Sequence, residues 1–305
     1  MGIISSKKSS RSSSPSLSNL SDSSLSQKEP FPNQDDSDQI YPFKRSQLEQ
    51  MELWQLHHNL SKDTWGDHFI APINEWLKIG GVKVLDMGCG SATWLNDVAL
   101  EYPLSKFFGV DIQPLIHKRL PSNVEIIQAD IKYKLPFAEN TFDFIHMRHM
   151  ILFFTEQEWS YSVIPELIRI LKPGGYLELA EADIEWYNVS PTTRLLISAA
   201  HNIMRQRGID PFIVNRIYDI LHSTEDLTSI YHKIYEAPIG KWAKHGEKLL
   251  YICSRFFATS RIPQCKILKI SEQQFDEYLN QFEKDVEIFK TYCKSHRFYA
   301  AKKFI

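Results

Sequence analysis

The stretch Val82-Lys83-Val84-Leu85-Asp86-Met87-Gly88-Cys89-Gly90 decides the fold. Its apolar, β-branched first half predicts a buried strand, its glycines predict a tight turn, and the spacing of apolar residues over 91–99 predicts a helix. Strand, glycine turn and helix in this order form the first unit of a nucleotide-binding α/β sheet. The glycines let a ligand approach the backbone closely, and the free N–H groups at the helix start can receive an anionic group such as a carboxylate.

Further strands and helices alternate after this unit. Strands are predicted at 107–112, 124–130, 142–148 and 176–181, with an amphipathic helix at 156–171. Strands separated by helices at intervals of about 20–40 residues are typical of a parallel, doubly wound sheet. The fold class predicted is therefore α/β, with a Rossmann-like, doubly wound and mostly parallel sheet.

The last third of the chain alternates predicted helices with two predicted strands. The helices are expected at 195–207, 212–223, 246–259 and 272–293, and the strands at 231–236 and 295–302. We expect the final strand to complete the sheet in the antiparallel direction.

The domain organisation follows from a change in composition near residue 40. Residues 1–40 are serine-rich with few apolar residues, so we expect a disordered N-terminal arm. Residues 41–305 then form one domain, with a core sheet over 82–181 and a helical cap and closing strands over 190–305. Two elements before the first strand, at 46–59 and 69–77, are expected to cap the ligand site.

Charge and cysteine content exclude several classes of protein. The 305 residues carry a formal net charge of −2, whereas a dedicated nucleic-acid binder normally shows a basic face. The four cysteines are scattered without a Cys-x-x-Cys pair, which argues against a zinc site and a disulfide framework. We expect a reducing, cytoplasmic location; a nuclear location stays open.

The first six residues, Met1-Gly2-Ile3-Ile4-Ser5-Ser6, fit the pattern for N-myristoylation of Gly2. Lys7, Lys8 and Arg11 follow and would add attraction to an anionic leaflet. Two interpretations stay open: an acylated arm in peripheral contact with a membrane, or a plain disordered tail.

Four residues around the predicted turn distinguish between nucleotide ligands. Thr93 stands where a dinucleotide-binding helix needs glycine or alanine. Asp86 would repel a pyrophosphate but could interact with an ammonium group. Asp111 ends the second strand and can accept both ribose hydroxyls, and Asp130 ends the third strand near an adenine amine. A ligand with an ammonium, a carboxylate, a ribose and an adenine but no phosphate is S-adenosylmethionine, although each aspartate alone could be a turn former.

Five motifs in order and spacing resemble the class I S-adenosylmethionine-dependent methyltransferases. They are Asp86-Met87-Gly88-Cys89-Gly90, Val110-Asp111, Gln128-Ala129-Asp130, Phe142-Asp143-Phe144-Ile145-His146-Met147-Arg148 and Leu171-Lys172-Pro173-Gly174-Gly175. The resemblance covers about residues 48–181 well and the C-terminal third only loosely. More narrowly, the pair His57-His58, the strand end at 145–148 and the stretch at 175–181 resemble fungal methyltransferases related to regulators of secondary metabolism.

The resemblance implies a role for each matching position. Gly88, Cys89 and Gly90 would line the methionine part of the cofactor, with Asp86 near its amine. Asp111 would hold the ribose, Ile112 would lie against the adenine, and Asp130 with the Ile131 amide would read the adenine edge. The end of the fourth strand, including Met147, would lie beside the methyl group. Cys89 is interpreted as a packing residue rather than a reactive thiol.

Acceptor-side groups are expected at the carboxyl ends of the fourth and fifth strands, where such sheets bind ligands. The candidate catalytic residues are His146, Arg148 and His149, and the other candidates are Glu181, Trp186 and Tyr187. Either histidine could act as a base near neutral pH or simply donate to a carbonyl. Arg148 could pair with Glu181 or with a substrate anion. No metal site is expected, and the tryptophans Trp54, Trp65 and Trp94 are interpreted as core or lid residues.

Taken together, these features predict an S-adenosylmethionine-dependent methyltransferase whose acceptor is a small molecule. A protein acceptor and a non-catalytic module that binds S-adenosylmethionine are the alternatives.

Overall fold

The computed structural model describes residues 47–304. The predicted arm at 1–40 and the acylation site at Gly2 lie outside this range. The sheet is formed by β1 (Lys83–Met87), β2 (Lys106–Asp111), β3 (Val124–Gln128), β4 (Phe142–Arg148), β5 (Leu171–Tyr187), β6 (Leu227–Pro238) and β7 (Tyr292–Lys302).

The helices flank this sheet. They are α1 (Gln47–Trp65), α2 (Asn74–Ile79), α3 (Thr93–Glu101), α4 (Glu156–Glu158, a π-helical turn at Trp159–Val163, and Ile164–Ile170), α5 (Pro191–Gln206), α6 (Val214–His222), α7 (Gly246–Thr259), α8 (Arg261–Leu268) and α9 (Glu272–Phe289). No helix within residues 47–304 is long and apolar enough to cross a bilayer.

The strand order is β3-β2-β1-β4-β5-β7-β6. Strand β1 lies parallel to β2 on one side and to β4 on the other, so the connections diverge on either side of β1. Such a switch point leaves a crevice at the carboxyl ends of the strands, where ligands bind in open α/β sheets. Strand β7 lies antiparallel to both β5 and β6, which confirms the predicted direction of the last strand.

Apolar clusters cover both faces of the sheet. One face packs against α4 and α6 through residues such as Trp159 and Ile217, and the other packs against α2 and α3 through Leu77 and Trp94. A third cluster joins α5, α7, α8 and α9 around Trp186. Helices on both faces confirm the doubly wound, Rossmann-like architecture.

The second element expected before β1, at 69–77, is helical only in its last part. Residues 69–73 are not helical, and α2 begins only at Asn74. Pro72 has no N–H group to donate within a helix. The amides of Ile70 and Ala71 donate instead to Oε2 of the buried Glu178, each at 2.7 Å. Two long-range hydrogen bonds to Glu178 of β5 therefore hold this segment in place of local helical bonds.

Several boundaries in the C-terminal third differ from those expected, and the largest differences are at α8 and α9. Helix α9 ends at Phe289 rather than 293, because Lys290 adopts a left-handed conformation with φ of 54° and β7 begins at Tyr292. Helix α8 was not expected from the pattern. Its first residue follows Ser260, whose hydroxyl receives a hydrogen bond from Gln264 at 2.6 Å.

Lys302, at the end of β7, forms hydrogen bonds to the junction between α4 and β5. Its buried Nζ donates to Asn140 Oδ1 at 2.9 Å and to the carbonyls of Ile168 and Leu171 at 2.7 and 2.8 Å. These carbonyls belong to the last turn of α4 and the start of β5, where helical partners are missing.

We predict that Lys302→Met lowers the free energy of unfolding by about 1–3 kcal/mol, because buried acceptors lose their donor. The neighbouring Lys303 is exposed, so Lys303→Met is the matched control and should change stability by less than about 0.5 kcal/mol. Urea unfolding of both variants measures the difference. Equal midpoints for the two variants would contradict the assigned role of Lys302.

Candidate active site

The glycine turn after β1 is held in a conformation that requires its glycines. Gly88 and Gly90 have φ values of 73° and 54°. A Cβ at Gly88 would lie 2.6 Å from Met150 Sδ, and one at Gly90 would lie 3.0 Å from the Trp54 ring. Helix α1 and the loop after β4 therefore pack directly on the turn, which brings the predicted cap and the predicted ligand site together.

Asp111 connects this turn to the end of β2. Its Oδ2 accepts from the Gly90 amide at 2.9 Å, and its Oδ1 accepts from the Gln113 amide at 2.8 Å. Burial raises the pKa of the carboxyl, while hydrogen bonds from these backbone amides act in the opposite direction. The buried carboxylate at the predicted ribose position thus also orients the glycine turn.

The remaining predicted cofactor positions fall along the same edge of the sheet. Ile112 is partly exposed, and its carbonyl accepts from the Gln128 amide group at 2.9 Å. Asp130 is partly exposed and accepts from the Lys132 amide at 2.9 Å, while Ile131 is buried. These residues border the crevice from β2 and β3, and their binding roles stay predictions.

Cys89 and Met147 belong to the hydrophobic core. Burial raises the pKa of the Cys89 thiol well above its ordinary value, so the thiol is protonated and unreactive at neutral pH. Both side chains face apolar neighbours, which agrees with the interpretation of Cys89 as a packing residue. The proposed contact of Met147 with a cofactor stays a prediction.

Asp86 and His146 form a buried pair under the crevice. Asp86 Oδ1 lies 2.7 Å from His146 Nδ1, and the imidazole stacks on Trp94 with ring centroids 4.0 Å apart. Burial raises the pKa of Asp86 to about 7 and lowers the pKa of His146 well below its ordinary value. His146 is only 1 % exposed, so this geometry positions Asp86 and presents no open imidazole face to an acceptor.

Arg148 joins a second chain of contacts at the same edge. Its guanidinium donates to His58 Nδ1 at 3.2 Å and to Thr93 Oγ1 at 3.4 Å. His58 Nε2 lies 3.0 Å from Asp97 Oδ2, so His58 is a neutral imidazole that accepts from Arg148 and donates to Asp97. Burial, followed by the charge of Arg148, lowers the pKa of His58 to about 4.

Of the two alternatives for Arg148, the pairing with Glu181 is not the one that the structure shows. The Glu181 carboxylate accepts instead from the amides of Met150 and Ile151 at 2.8 and 3.4 Å. Its partners are backbone groups of the loop after β4, whereas Arg148 points toward α1 and α3. The alternative partner for Arg148, a substrate anion, stays open. Among residues 47–304 no group of three or more acidic, histidine or cysteine side chains is arranged to hold a metal ion.

A cavity of about 190 Å³ lies beyond the end of β4 and along the C-terminal part of β5. Helix α1 contributes Trp54 to its wall, α7 contributes Phe256, and β5 contributes Glu181 and Trp186. Trp54 also contacts the glycine turn, so the cavity and the predicted cofactor crevice share a wall. The cavity is therefore adjacent to the predicted cofactor crevice.

His149 enters the cavity wall from the loop after β4. Its φ of 58° is a left-handed conformation that non-glycine residues rarely adopt. Its Nε2 is buried and has no hydrogen-bond partner among the described residues. Burial lowers the pKa of His149 well below its ordinary value, so the imidazole is neutral.

The structure thus brings three predicted acceptor-side residues together at the cavity, namely His149, Glu181 and Trp186. Tyr187 is not among them, since its hydroxyl donates to Asp183 and its ring stacks on Tyr292. The interpretation of Trp54 as a lid residue agrees with its position. The contribution of α7 was not foreseen, because its apolar face carries no signal that separates a cavity wall from core packing.

Glu181 offers a test of this buried environment. Burial raises the pKa of Glu181 to about 8, so the folded protein retains a proton that the unfolded chain releases near pH 4.5. Stability should therefore fall as pH rises from about 5 to 8, by up to about 1.4 kcal/mol per pH unit from this group. We predict that Glu181→Gln removes this part of the slope.

Urea unfolding at several pH values between 5 and 8 measures the slope for each protein. The exposed Glu225 serves as the control, and Glu225→Gln should keep the slope of the unmodified chain. If Glu181→Gln and the unmodified chain share one slope, Glu181 is ionised in the folded protein.

Comparison with known proteins finds similarity to methyltransferases. Residues 84–175 match the family described as methyltransferase domain. The methyltransferase str3 of Strobilurus tenacellus is 27% identical over 188 residues, which are 60% of this chain and 65% of the relative. The secondary metabolism regulator laeA of Coprinopsis cinerea is 27% identical over 144 residues, covering 45% of this chain and 35% of the regulator. The chain thus spans less than two thirds of both relatives.

Among solved structures, phosphoethanolamine N-methyltransferase 2 of Haemonchus contortus in complex with S-adenosyl-L-methionine covers 82% of this chain and 57% of its own. It has a TM-score of 0.47 and 18% sequence identity. The matched segment runs from β1 to the start of β5 and contains the glycine turn, Asp111 and the buried pair of Asp86 and His146. The resemblance inferred from the motifs is confirmed for this segment, since residues 84–175 match a methyltransferase domain.

Proposed function

We propose that the protein is an S-adenosylmethionine-dependent methyltransferase that acts on a small molecule bound in the cavity. The observation that carries this proposal is the shared wall at Trp54, which contacts the glycine turn on one side and lines the cavity on the other. The match to a methyltransferase domain supports the reaction class. The relatives named as methyltransferases support it as well.

The residues at the turn suit the cofactor chemically. Ser91, in the turn itself, has a buried hydroxyl without a hydrogen-bond partner among the described residues. Helix α3 begins at Thr93 with no acidic residue in its first turn, so its N-terminal amides can receive a carboxylate. Asp111 supplies a carboxylate at the end of β2, where ribose hydroxyls would be received. When bound, S-adenosylmethionine supplies an electrophilic methyl group on a sulfonium.

The chain's own contribution to methyl transfer is to position the two reactants and to exclude water from them. Trp54 and Met150 pack on the glycine turn. Holding two reactants in line within a closed site accounts for much of the acceleration that such a displacement requires. The mainly apolar lining of the cavity favours an organic molecule over a water-filled site.

A regulatory module that binds S-adenosylmethionine without turnover is the second candidate, and the similarity to a protein named as a regulator favours it. Both candidates require cofactor binding. Release of S-adenosylhomocysteine in the presence of small-molecule acceptors separates them, because a non-catalytic module would release none. A protein acceptor predicts release only when polypeptide substrates are supplied.

We predict that Asp111→Asn weakens S-adenosylmethionine binding at least about tenfold, since hydrogen bonds to a charged group are lost. Isothermal titration calorimetry measures the affinity. The exposed Asp226 gives the matched control, and Asp226→Asn should bind as the unmodified chain does. A folded Asp111→Asn protein with unchanged affinity would show that Asp111 is not a cofactor ligand. Absence of binding to the unmodified chain at about millimolar cofactor would refute the proposed function.

A further inference from the structure

Arg148 is a cation for which the described residues supply no ion-pair partner. Its side chain is half-buried and forms no ion pair with an aspartate or glutamate among residues 47–304. The nearby carboxylates are Asp86, which lies 2.7 Å from His146, and Asp97, which lies 3.0 Å from His58, and both act on Arg148 from beyond ion-pair distance. Burial lowers the pKa of Arg148 only to about 10, so the guanidinium is charged at neutral pH. A charge withdrawn from water without such a partner is costly, which indicates that an anion is received here.

The group that orients Arg148 is neutral. Arginine can only donate, so His58 Nδ1, which lies 3.2 Å from Arg148 Nη1, is the acceptor. The proton of this imidazole is then on Nε2, which faces Asp97 Oδ2 at 3.0 Å. A carboxylate in the place of His58 would cancel the charge of Arg148. The chain of Asp97, His58 and Arg148 instead fixes the direction of the guanidinium and leaves its positive charge available.

Arg148 lies beside the glycine turn. Met147, the residue before it, lies opposite Met87, the residue before Gly88, in the parallel pairing of β4 with β1. Nη2 of Arg148 donates to Thr93 Oγ1 at 3.4 Å, and Thr93 is the first residue of α3. The guanidinium therefore adjoins a helix start whose free amides also attract negative charge.

Two further observations favour an anion bound at the turn over one bound in the cavity. Ser91, in the turn, has a buried hydroxyl that finds no hydrogen-bond partner in the described part of the chain. Arg148 is not among the residues that line the cavity. Its N–H groups beyond those used by His58 and Thr93 have no acceptor within residues 47–304. The unmatched donors therefore belong to the turn, where the cofactor is proposed to bind.

We infer that Arg148 binds the α-carboxylate of S-adenosylmethionine, and that His58 and Asp97 position the guanidinium for this contact. The inference rests on the proposed methyltransferase function and specifies how the site recognises the amino-acid end of the cofactor. Asp86, the predicted partner of the ammonium, and Arg148 then provide opposite charges for two groups borne by one carbon atom. Arg148 is thus a cofactor-binding residue, and His58 is a positioning residue that acts through it.

Calorimetric titration of the full chain with two probes tests this inference. The probes are S-adenosylmethionine and its decarboxylated analogue, which keeps the adenine, the ribose, the sulfonium and the amine. We expect the unmodified chain to bind S-adenosylmethionine at least about tenfold more tightly than the analogue, since a charge-assisted contact is lost with the carboxylate. Arg148→Met should reduce this preference at least about fivefold, mainly by weakening the binding of S-adenosylmethionine.

Two variants test the positioning role of His58. His58→Phe keeps an aromatic ring but removes the acceptor, so the preference for the carboxylate should fall about threefold or more. His58→Gln keeps a neutral acceptor and should retain most of the preference. Both variants leave Arg148 in place, so they also cover the case in which Arg148→Met does not fold.

The matched control is Arg216, which is exposed on α6 and pairs with Glu156. Helix α6 packs on the face of the sheet opposite to α3. Arg216→Met removes one positive charge from the chain without touching the turn, and it should bind both probes as the unmodified chain does.

Three results would overturn the inference. They are equal binding of the two probes to the unmodified chain, a preference that Arg148→Met leaves unchanged, and a preference that His58→Phe leaves unchanged. Equal binding would assign the charge of Arg148 to an anion of the acceptor. Each of these results requires that S-adenosylmethionine binds, so each is distinct from failure of the proposed function, in which the unmodified chain would not bind S-adenosylmethionine.

Discussion

The hydrogen bond from the Gly90 amide to the Asp111 carboxylate is the contact on which the site depends. This hydrogen bond, 2.9 Å long, connects the turn after β1 to the end of β2. The two strands are parallel neighbours, with Asp86 of β1 opposite Gly109 of β2. The two positive-φ glycines can hold this shape only while no side chain occupies the space taken by Trp54 and Met150. Cap, turn and post-β4 loop are therefore parts of one packed unit at the switch point of the sheet.

Buried polar pairs position the segment before β1 over this unit. Glu178 receives the amides of Ile70 and Ala71 and lies 3.6 Å from Arg297 of β7. Helix α1 is fastened by His58, which links Asp97 of α3 to Arg148 of β4. Breaking a buried pair by removing one partner is strongly destabilising, because the other group is left uncompensated. The position of the cap is thus specified by directional contacts as well as by apolar packing.

The sequence predicted those features that depend on residues close together in the chain. The apolar run before Gly88 was sufficient to predict the first strand and the glycine turn. The aspartates at strand ends were sufficient to place the carboxylate of Asp111 at the end of β2. The site beyond the turn depends on contacts distant in sequence, which no local pattern encodes. Glu181 was one of two alternative partners for Arg148, yet α1 brings His58 to it. His146 was a candidate base, yet Trp94 and Asp86 enclose it, while α7 forms part of the cavity wall from far along the chain.

The central claim is that the glycine turn between β1 and α3 receives S-adenosylmethionine. Hydrogen–deuterium exchange of the full chain, with and without saturating cofactor, tests it most directly. The account predicts slower exchange of the amides in residues 86–93 and 111–115 when the cofactor is present, with unchanged exchange in the edge strand β6. Cofactor binding that leaves residues 86–93 unprotected, or that protects only residues 190–302, would contradict it.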